Sequence, residues 1–414
     1  MNKNKQYYKF CFYGFLKNLR FFDAFFLLYL KSKGGSYTEI GSLYAIREIL
    51  INLLEVPTGI IADLYGRKNA LAGSFLAYIL SFYLFYIGNS YMIFLLAFVL
   101  YGVGDAFRSG THKAMIMDYL KRNNLFDQKI NYYGHTRACS QRGSAISALL
   151  AGFIVFYAGN YESIFLLSIV PYVLDFLLIL SYPSYLNKVA DKKQRSFLSG
   201  FKNLWLVVKK PKVFVIMHSS AVHTAYLKSV KDYIQFLMKL VALSIPVFLW
   251  IDTQKREALW IGILYFFLYL LTSYASSKAD YFSKKSNRIA SITLLLGLFF
   301  GVLSGLFQID KYFGLSLVFF VGIYLIENLR KPILTGYIAE EVPSEILASV
   351  LSAQNLYRTI LTAVISLVFG WLSDYKGLGF ALFWLSLILL IFTIFTNYLV
   401  SVYKVNLTKK YNEN

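Results

Sequence analysis

Long apolar stretches alternate with short polar loops along the whole 414-residue chain. The stretches recur at the length that an α-helix needs to cross a bilayer, roughly 20 residues. This pattern predicts an all-α membrane protein with twelve transmembrane helices, called spans 1 to 12 here. The predicted spans lie at about 9–30, 38–60, 69–88, 90–120, 131–158, 161–182, 212–234, 257–276, 288–307, 313–335, 345–372 and 378–402.

One apolar segment does not fit this scheme. Residues 236–251 directly follow span 7, are too short for an ordinary span and are interrupted by Lys239 and Pro246. We interpret the segment as a broken extension of span 7 or as a helix at the outer membrane interface.

A short basic sequence occurs twice, about half the chain length apart. Ala62-Asp-Leu-Tyr-Gly-Arg-Lys68 follows span 2 and returns in weaker form as Ala279-Asp-Tyr-Phe-Ser-Lys-Lys285. Both copies are basic loops between long apolar stretches. Two similar six-helix halves, related by an axis along the membrane normal, explain the repetition.

Charged positions inside the spans repeat with the loop. Asp105-x-x-Arg108 in span 4 corresponds to Glu327-x-x-Arg330 in span 10. The predicted domains are an N-terminal six-helix bundle at 1–183, a basic cytoplasmic linker at 184–211 and a C-terminal six-helix bundle at 212–414.

The composition agrees with a membrane location. Charged residues make up 15% of the chain, against about a quarter in soluble proteins. The net charge of +20 comes mainly from Lys and Arg in the loops of one side, as the positive-inside rule requires, so it does not indicate nucleic-acid binding. We expect both termini in the cytoplasm, no cleaved signal peptide, and a multi-pass protein of the plasma membrane, the inner membrane in bacteria.

The first copy of the repeated loop resembles a known family motif. Residues 59–68 are similar to the G-x-x-x-D-x-x-G-R-[KR] loop of the major facilitator superfamily, and Arg108-Ser-Gly110 resembles its span-4 arginine motif. In the second copy Ser283 replaces the glycine. Because the span number, the basic linker and the repeat agree, the resemblance covers the whole chain. It implies the fold of this superfamily and a transport function.

The resemblance implies that the loop governs conformational change. Gly66 permits a tight turn, and Asp63 can pair with Arg67 or lie at the positive end of a neighbouring helix. An alternative is that Arg67 and Lys68 only fix the topology. The predicted gating residues are Gly59, Asp63, Gly66, Arg67, Lys68 and, in the second copy, Asp280.

Charges within the membrane concentrate in spans 1, 4, 7 and 10. Such side chains should face protein or a watery cavity, and the resemblance implies that these spans line the central pathway. Bases outnumber acids, which favours an anionic or zwitterionic solute. Two alternatives stay open: local acid–base pairing and contact of Lys and Arg with lipid headgroups. The predicted solute-binding residues are Lys17, Arg20, Asp23, Arg108, His112, His223, Lys228, Glu327 and Arg330.

Acidic residues and histidines are candidates for proton coupling. We expect Asp23, Glu48 and Asp105 to bind protons, because a base beside an acid favours its ionised form until the two separate. The four histidines lie in predicted spans and suit proton transfer, transition-metal binding or hydrogen bonding within the bundle. They form no metal motif. The residues considered for metal binding are His112, His218 and His223.

Together these features predict a secondary active transporter. It would move a small anionic or zwitterionic solute by alternating access, as a proton-coupled symporter or antiporter, with the solute near the bilayer midplane. Multidrug efflux and transport of a transition metal or metal complex are the alternatives. We expect no enzymatic activity and no cofactor, because no nucleophile–base set and no nucleotide-binding loop is found. The expected partners are the solute, protons and the lipid bilayer, with the protein as a monomer.

Overall fold

Helices dominate the computed structural model, which describes residues 4–109, 111–125, 129–187, 211–247, 249–278, 281–282, 289–341 and 344–412. We label its α-helices α1 to α15 in chain order. Their bounds are Lys5–Lys17 (α1), Phe26–Ser32 (α2), Tyr37–Tyr65 (α3), Arg67–Ile87 (α4), Tyr91–Arg108 (α5), Thr111–Arg122 (α6), Lys129–Ala158 (α7), Ser163–Leu180 (α8), Pro211–Val230 (α9), Ile234–Ser244 (α10), Thr253–Ser277 (α11), Ile289–Ile309 (α12), Phe313–Glu341 (α13), Ser344–Lys376 (α14) and Leu378–Asn412 (α15).

Within the described residues, nine helical stretches are long and apolar enough to cross a membrane. These stretches are Arg67–Ile87, Tyr91–Arg122, Ala138–Ala158, Ser163–Leu180, Thr253–Ser276, Ile289–Ile309, Phe313–Lys331, Ala353–Lys376 and Leu378–Thr396. They correspond to predicted spans 3 to 6 and 8 to 12. The helices of predicted spans 1, 2 and 7 are shorter or more polar. The all-helical membrane fold is confirmed, whereas twelve spans and cytoplasmic termini stay predictions.

Predicted span 1 is divided rather than continuous. α1 ends at Lys17, where the side-chain amide of Asn18 donates to the carbonyl of Gly14 (2.6 Å). A 3-10 turn at Phe21–Ala24 follows before α2 begins. The backbone of Arg20 leaves the helical region, with φ −99° and ψ 83°. The polar residues of this stretch therefore lie on a break in the helix.

The chain forms two compact units, Met1–Gln194 with Gln235–Leu270 and Arg195–Ile234 with Leu271–Asn414. This division concerns packing, and the domain boundaries predicted from the sequence repeat stay a prediction. In the first unit α4 packs against α5 and α8, and α1 packs against α7 and α8. Aromatic rings fill the space between helices: Phe26 contacts Phe85, Phe98 and Phe165 at centroid distances of 5.1, 5.3 and 5.7 Å.

The segment 236–251 belongs to the first unit. A 3-10 turn at Lys231–Tyr233 follows α9 and leads directly into α10. Lys239 of α10 forms an ion pair with Glu257 of α11 (3.1 Å). Both interpretations of the segment, a broken extension of span 7 and a helix at the outer membrane interface, stay predictions.

In the second unit α12 packs against α13 and α15, and α9 packs against α13 and α14. Buried hydroxyl groups join these helices where apolar side chains cannot. Ser304 and Ser316 donate to each other's carbonyl groups (2.9 and 2.7 Å). The hydroxyls of Tyr226 and Ser386 are 2.6 Å apart. Such bonds satisfy polar groups that would be costly in an apolar environment.

Candidate functional site

A cavity with about 190 Å³ of empty space, part of which is open solvent, lies in the first unit at the break in span 1. Its wall contains two predicted solute-binding residues, Arg20 and Asp23. The complete lining is Asn18, Arg20, Asp23, Ala24, Ser144, Ser147, Ala148 and Tyr269. No sequence argument identified the serines of α7 or Tyr269 of α11, because isolated small polar or aromatic residues are common in helix packing.

Arg20 and Asp23 present an ion pair to this cavity. The guanidinium of Arg20 is 3.0 Å from the carboxylate of Asp23, and their side chains are 29% and 30% exposed. Arg20 also donates to the hydroxyl of Tyr101 on α5 (3.1 Å). The cavity therefore offers a cationic donor and an anionic acceptor side by side.

A buried glutamine fixes the turn that carries this pair. The side-chain amide of Gln235 donates to the backbone carbonyl of Asp23 (2.8 Å) and accepts from the backbone N–H of Leu27 (2.8 Å). Gln235 is fully buried at the start of α10. Because the break leaves backbone groups unpaired, an internal partner of this kind stabilises it. The sequence gives no signal for this long-range contact.

Arg108 belongs to a three-membered cluster with Asp105 and Tyr78. Arg108 donates to the Asp105 carboxylate (2.7 Å) and to the Tyr78 hydroxyl (2.8 Å), and Tyr78 donates to Asp105 (2.5 Å). The local acid–base pairing considered from the sequence is therefore present in α5. Lys17, half-buried at the end of α1, interacts electrostatically with Arg108 and Asp105.

Two other predicted residues of the first unit have close neighbours. The ring of His112 stacks on Tyr13 with centroids 3.6 Å apart, and its Nε2 is 3.3 Å from the Tyr182 hydroxyl. Glu48 of α3 is 3% exposed and lies 3.2 Å from the guanidinium of Arg47. Both residues are held by protein contacts.

Glu327 in the second unit binds α9 rather than its own helix. Its carboxylate accepts from the Nδ1 of His223 (2.7 Å) and from the hydroxyl of Thr224 (2.6 Å). We assign the proton to Nδ1 because a carboxylate can only accept. The buried His223 thus has Glu327 as an anionic partner.

Arg330, one turn further along α13, has different partners. It donates to the carbonyl and the hydroxyl of Ser219 (both 2.9 Å), to Thr293 (2.6 Å) and to the carbonyl of Ala290 (2.5 Å). Its side chain is nearly fully buried, with 1% exposed. The pair in α13 therefore does not repeat the pairing in α5.

The other ring nitrogen of His223 faces Gly297 of α12. A Cβ atom at Gly297 would lie 2.0 Å from Nε2, so this position needs glycine for the close approach. Within the described part of the chain, Nε2 has no hydrogen-bond partner. His218 instead contacts the hydroxyl of Tyr357 (2.7 Å), and Lys228 lies in the last turn of α9.

The structure gives no metal site among these residues. No group of three or more His, Cys, Asp or Glu side chains that could hold a metal ion occurs in the described ranges. The predicted metal candidates His112, His218 and His223 each contact tyrosine or glutamate side chains.

The predicted gating loop joins α3 to α4 at Gly66, whose φ of +99° favours glycine. Arg67 forms an ion pair with Asp118 of α6. Lys68 donates from Nζ to the carbonyl of Tyr182 (2.8 Å). The side chain of Asp63 and the whole of Asp280 lie outside the described residues, so their predicted gating contacts stay predictions, as does the role of Gly59 in α3.

Asn187 supplies an N-cap to α4 from a distant part of the chain. Its side-chain oxygen accepts from the backbone N–H groups of Lys68 (3.0 Å) and Asn69 (3.2 Å). Gly66 itself offers no side-chain cap, so a residue beyond α8 provides the acceptor. The gating loop is thereby joined to the start of the basic linker.

Comparison with known proteins gives consistent results. The family model of the Major Facilitator Superfamily matches residues 12–365. An uncharacterized MFS-type transporter, YxaM of Bacillus subtilis (strain 168), is 41% identical over 64 residues, which is only 16% of each protein.

Solved transporter structures share the fold over nearly the full length. The nucleoside transporter NupG gives a TM-score of 0.71 with 13% identity, covering 96% of this chain and 99% of that protein. A POT family transporter in complex with 5-aminolevulinic acid gives 0.66 with 14% identity, covering 95% and 94%. At such identities the likeness shows the fold alone.

Proposed function

This chain belongs to the Major Facilitator Superfamily, and on that basis we propose that it is a proton-coupled secondary transporter of a small zwitterionic or anionic solute. The proposal includes alternating access between the two sides of the plasma membrane. The observation that carries the solute class is the Arg20–Asp23 pair in the wall of the first-unit cavity.

The cavity has the chemistry for a carboxylate and an amine together. A solute carboxylate would accept from the guanidinium of Arg20, and a solute ammonium group would donate to Asp23. Asn18, Ser144 and Ser147 add uncharged hydrogen-bonding groups. Because Arg20 and Asp23 already neutralise each other, a zwitterion can replace both halves of their contact without leaving a charge unpaired.

The polar lining of the cavity favours a small polar solute. Charged and hydrogen-bonding side chains such as Arg20, Asp23 and Asn18 line it, which supports a polar substrate over a large amphipathic compound. The predicted contacts at Lys17, Arg108, His112, His223, Lys228, Glu327 and Arg330 form part of the same proposal.

We assign proton coupling first to Asp23 among the predicted acids. Asp23 faces the cavity, so water and solute reach it, whereas Glu48 is buried beside Arg47 and Asp105 is held by Arg108 and Tyr78. An anionic solute that draws Arg20 away from Asp23 supplies no replacement cation, so Asp23 loses the charge that favours its ionised form. Proton uptake at Asp23 would then accompany binding of the anion.

We propose that the gating loop controls the conformational step. The contacts of Arg67 with Asp118 and of Lys68 with the Tyr182 carbonyl join α4 to α6 and to the end of α8. Their release and re-formation would allow helices to move during transport. The predicted Asp63–Arg67 pairing and the second-copy contact of Asp280 are included in this proposal.

The test is uptake into proteoliposomes with an imposed pH gradient. The panel contains glycylglycine, 5-aminolevulinic acid, succinate, uridine and a cationic dye, because peptides, nucleosides and 5-aminolevulinic acid are named for structural neighbours. We expect the gradient to stimulate uptake of a zwitterion or an anion. Arg20→Gln should reduce that uptake at least tenfold, corresponding to about 1.4 kcal/mol of lost binding.

The matched control is Arg122→Gln, the same exchange at an exposed position of α6. Asp23→Asn distinguishes the two solute classes in exchange between equal concentrations without a pH gradient, since there it should impair a zwitterion more than an anion. Uptake of the dye alone would favour multidrug efflux. Thermal stabilisation by Fe, Ni or Zn ions that His223→Ala abolishes would favour metal transport. Wild-type uptake by Arg20→Gln would refute the proposed site.

A further inference from the structure

Asp175 is a buried carboxylic acid in an otherwise apolar helix. It lies in α8, whose sequence from Ser163 to Leu180 contains no other acidic or basic residue. The side chain has no exposed surface. In the part of the chain that the structure describes, neither carboxyl oxygen has a hydrogen-bond partner. An ionised carboxylate without donors is poorly tolerated in such a place, whereas a neutral carboxylic acid is tolerated far better.

The basic residue that interacts with Asp175 is Lys17 on α1. Lys17 and Asp175 interact electrostatically, but they form no direct ion pair among the described residues. The hydroxyl of Tyr172, one turn before Asp175, donates to the backbone carbonyl of Lys17 (3.1 Å). This bond holds α8 against the end of α1, where a change in the Lys17 side chain alters the surroundings of Asp175.

The other titratable groups near Asp175 are tyrosines. Tyr13 on α1 and Tyr182 just beyond α8 interact with it electrostatically. On α4, Tyr78 packs against Tyr172 rather than Asp175 (ring centroids 5.3 Å apart). Lys17 is the basic residue that interacts with Asp175, so its position can affect whether Asp175 carries a charge.

Lys17 also connects Asp175 to the candidate solute site. Its ammonium group interacts with Arg20 and Arg108, which repel it, and with Asp105, which attracts it. A solute carboxylate bound near Arg20 would attract Lys17 away from Asp175. A site without solute leaves Lys17 free to approach the buried acid.

We propose that Asp175 is a proton-binding site and that Lys17 sets its occupancy. Asp175 holds a proton while a solute anion attracts Lys17, and it releases the proton when the ammonium group approaches. Solute anion and proton then bind together, which is the linkage that a symporter needs. The inference rests on the proposed function, and it assigns a coupling role to a helix outside the four charged spans.

The test begins with infrared difference spectra of the purified protein between acidic and alkaline pH. We expect a protonated-carboxyl C=O band at acidic pH that Asp175→Asn removes, and the variant should keep the local packing because the amide has nearly the same shape as the neutral acid. The matched control is Glu162→Gln, the corresponding exchange in a loop, which should keep the band. Unchanged spectra in Asp175→Asn would overturn the proposal.

A second variant keeps the acid and removes its partner. Lys17→Met should move the titration midpoint of the Asp175 band upward by about one pH unit or more, because nothing then stabilises the ionised form. This measurement tests whether Lys17 controls the protonation of Asp175 even where Asp175→Asn fails to fold. An unchanged midpoint would show that Lys17 does not control Asp175.

Transport separates this inference from the proposed function. With 5-aminolevulinic acid as the probe, Asp175→Asn should lose at least nine-tenths of gradient-driven uptake while keeping exchange between equal internal and external concentrations. Gradient-driven uptake that persists in this variant would overturn the coupling role of Asp175. A wild-type protein whose uptake of every panel solute ignores pH would instead refute proton coupling itself, whatever the infrared titration shows.

Discussion

The acid–base pairs of α5 and α13 occupy equivalent positions in the sequence repeat but make different contacts. Asp105 and Arg108 bind each other and share Tyr78. Glu327 and Arg330 bind separate groups instead, the acid on α9 and the arginine on α9 and α12. The first pair forms a closed cluster, and the second joins three helices.

The neighbours explain this difference. In the first unit α4 supplies a tyrosine hydroxyl, which can donate to the acid and accept from the base at the same time. In the second unit His223 binds the carboxylate of Glu327. Arg330 donates instead to backbone carbonyl and hydroxyl groups. The side chain of Arg108 is 25% exposed, whereas that of Arg330 is buried. Solvent therefore reaches the side chain of Arg108, whereas that of Arg330 is enclosed by its hydrogen-bond acceptors.

The largest expected effect comes from removing each arginine in turn. Arg330→Met should lower the free energy of unfolding by about 3–5 kcal/mol, because it leaves buried acceptors unpaired and removes the positive charge near Glu327. Arg108→Met should cost clearly less, because Tyr78 still donates to Asp105 and water reaches the site. Unfolding of both variants in detergent, followed by intrinsic fluorescence, measures the difference. Equal losses of unfolding free energy in the two variants would show that the two arginines contribute equally to stability.

A smaller effect is expected from the glycine that accommodates His223. Gly297→Ala places a methyl group against Nε2 and should cost about 1–3 kcal/mol, because His223 must move within a packed site. Gly73→Ala in α4 is the matched control, since nothing lies within 4 Å of its added Cβ and alanine favours a helix by about 1 kcal/mol. The unfolding temperature should fall for Gly297→Ala and rise for Gly73→Ala. A neutral Gly297→Ala would show that His223 has room to move.

The sequence predicted the repeat and the helical membrane fold because both depend on local patterns. Hydrophobic length locates a span, and equal offsets locate equivalent positions such as Arg108 and Arg330. The partners of these positions were not predictable, since Tyr78 and His223 come from other helices. The closest prediction was the pairing of Asp105 with Arg108, which needs only a three-residue spacing.

The cavity depended even more on contacts distant in sequence. A 3-10 turn interrupts span 1, and Gln235, more than two hundred residues away, supplies its buried hydrogen bonds. An apolar pattern predicts a continuous helix there, because the polar residues of the break are few. Asn187 and Asp118 were missed as loop partners for the same reason.

Removing single hydroxyl groups tests how much individual hydrogen bonds to Asp105 and Glu327 contribute to stability. Tyr78→Phe takes one donor from Asp105 and one acceptor from Arg108, and Thr224→Val takes one donor from Glu327. Hydrogen bonds in membrane proteins contribute about 0.6 kcal/mol on average and up to about 1.7. We expect Tyr78→Phe to cost more than Thr224→Val, as measured by unfolding in detergent. The reverse order would show that the tyrosine does not hold the first cluster together.

The smallest effect on stability is expected at the water-accessible ion pair of Lys33 and Glu162, which serves as a reference for the buried ion pairs. Lys33 lies 2.9 Å from Glu162 and donates to Asn89 (2.8 Å), joining three loops of the first unit. Burial raises the pKa of Glu162, but the hydrogen bond and charge of Lys33 outweigh it, so the pKa lies below its ordinary value. The stabilisation is therefore present above the unfolded-state pKa, about 4.3, and is lost as pH falls through the folded-state value.

Glu162→Gln should cost no more than about 0.5 kcal/mol at neutral pH, and its unfolding temperature should approach the wild-type value as the pH falls below about 4.3. A difference that stays constant with pH would mean that the packing of Glu162, not its charge, stabilises the loops.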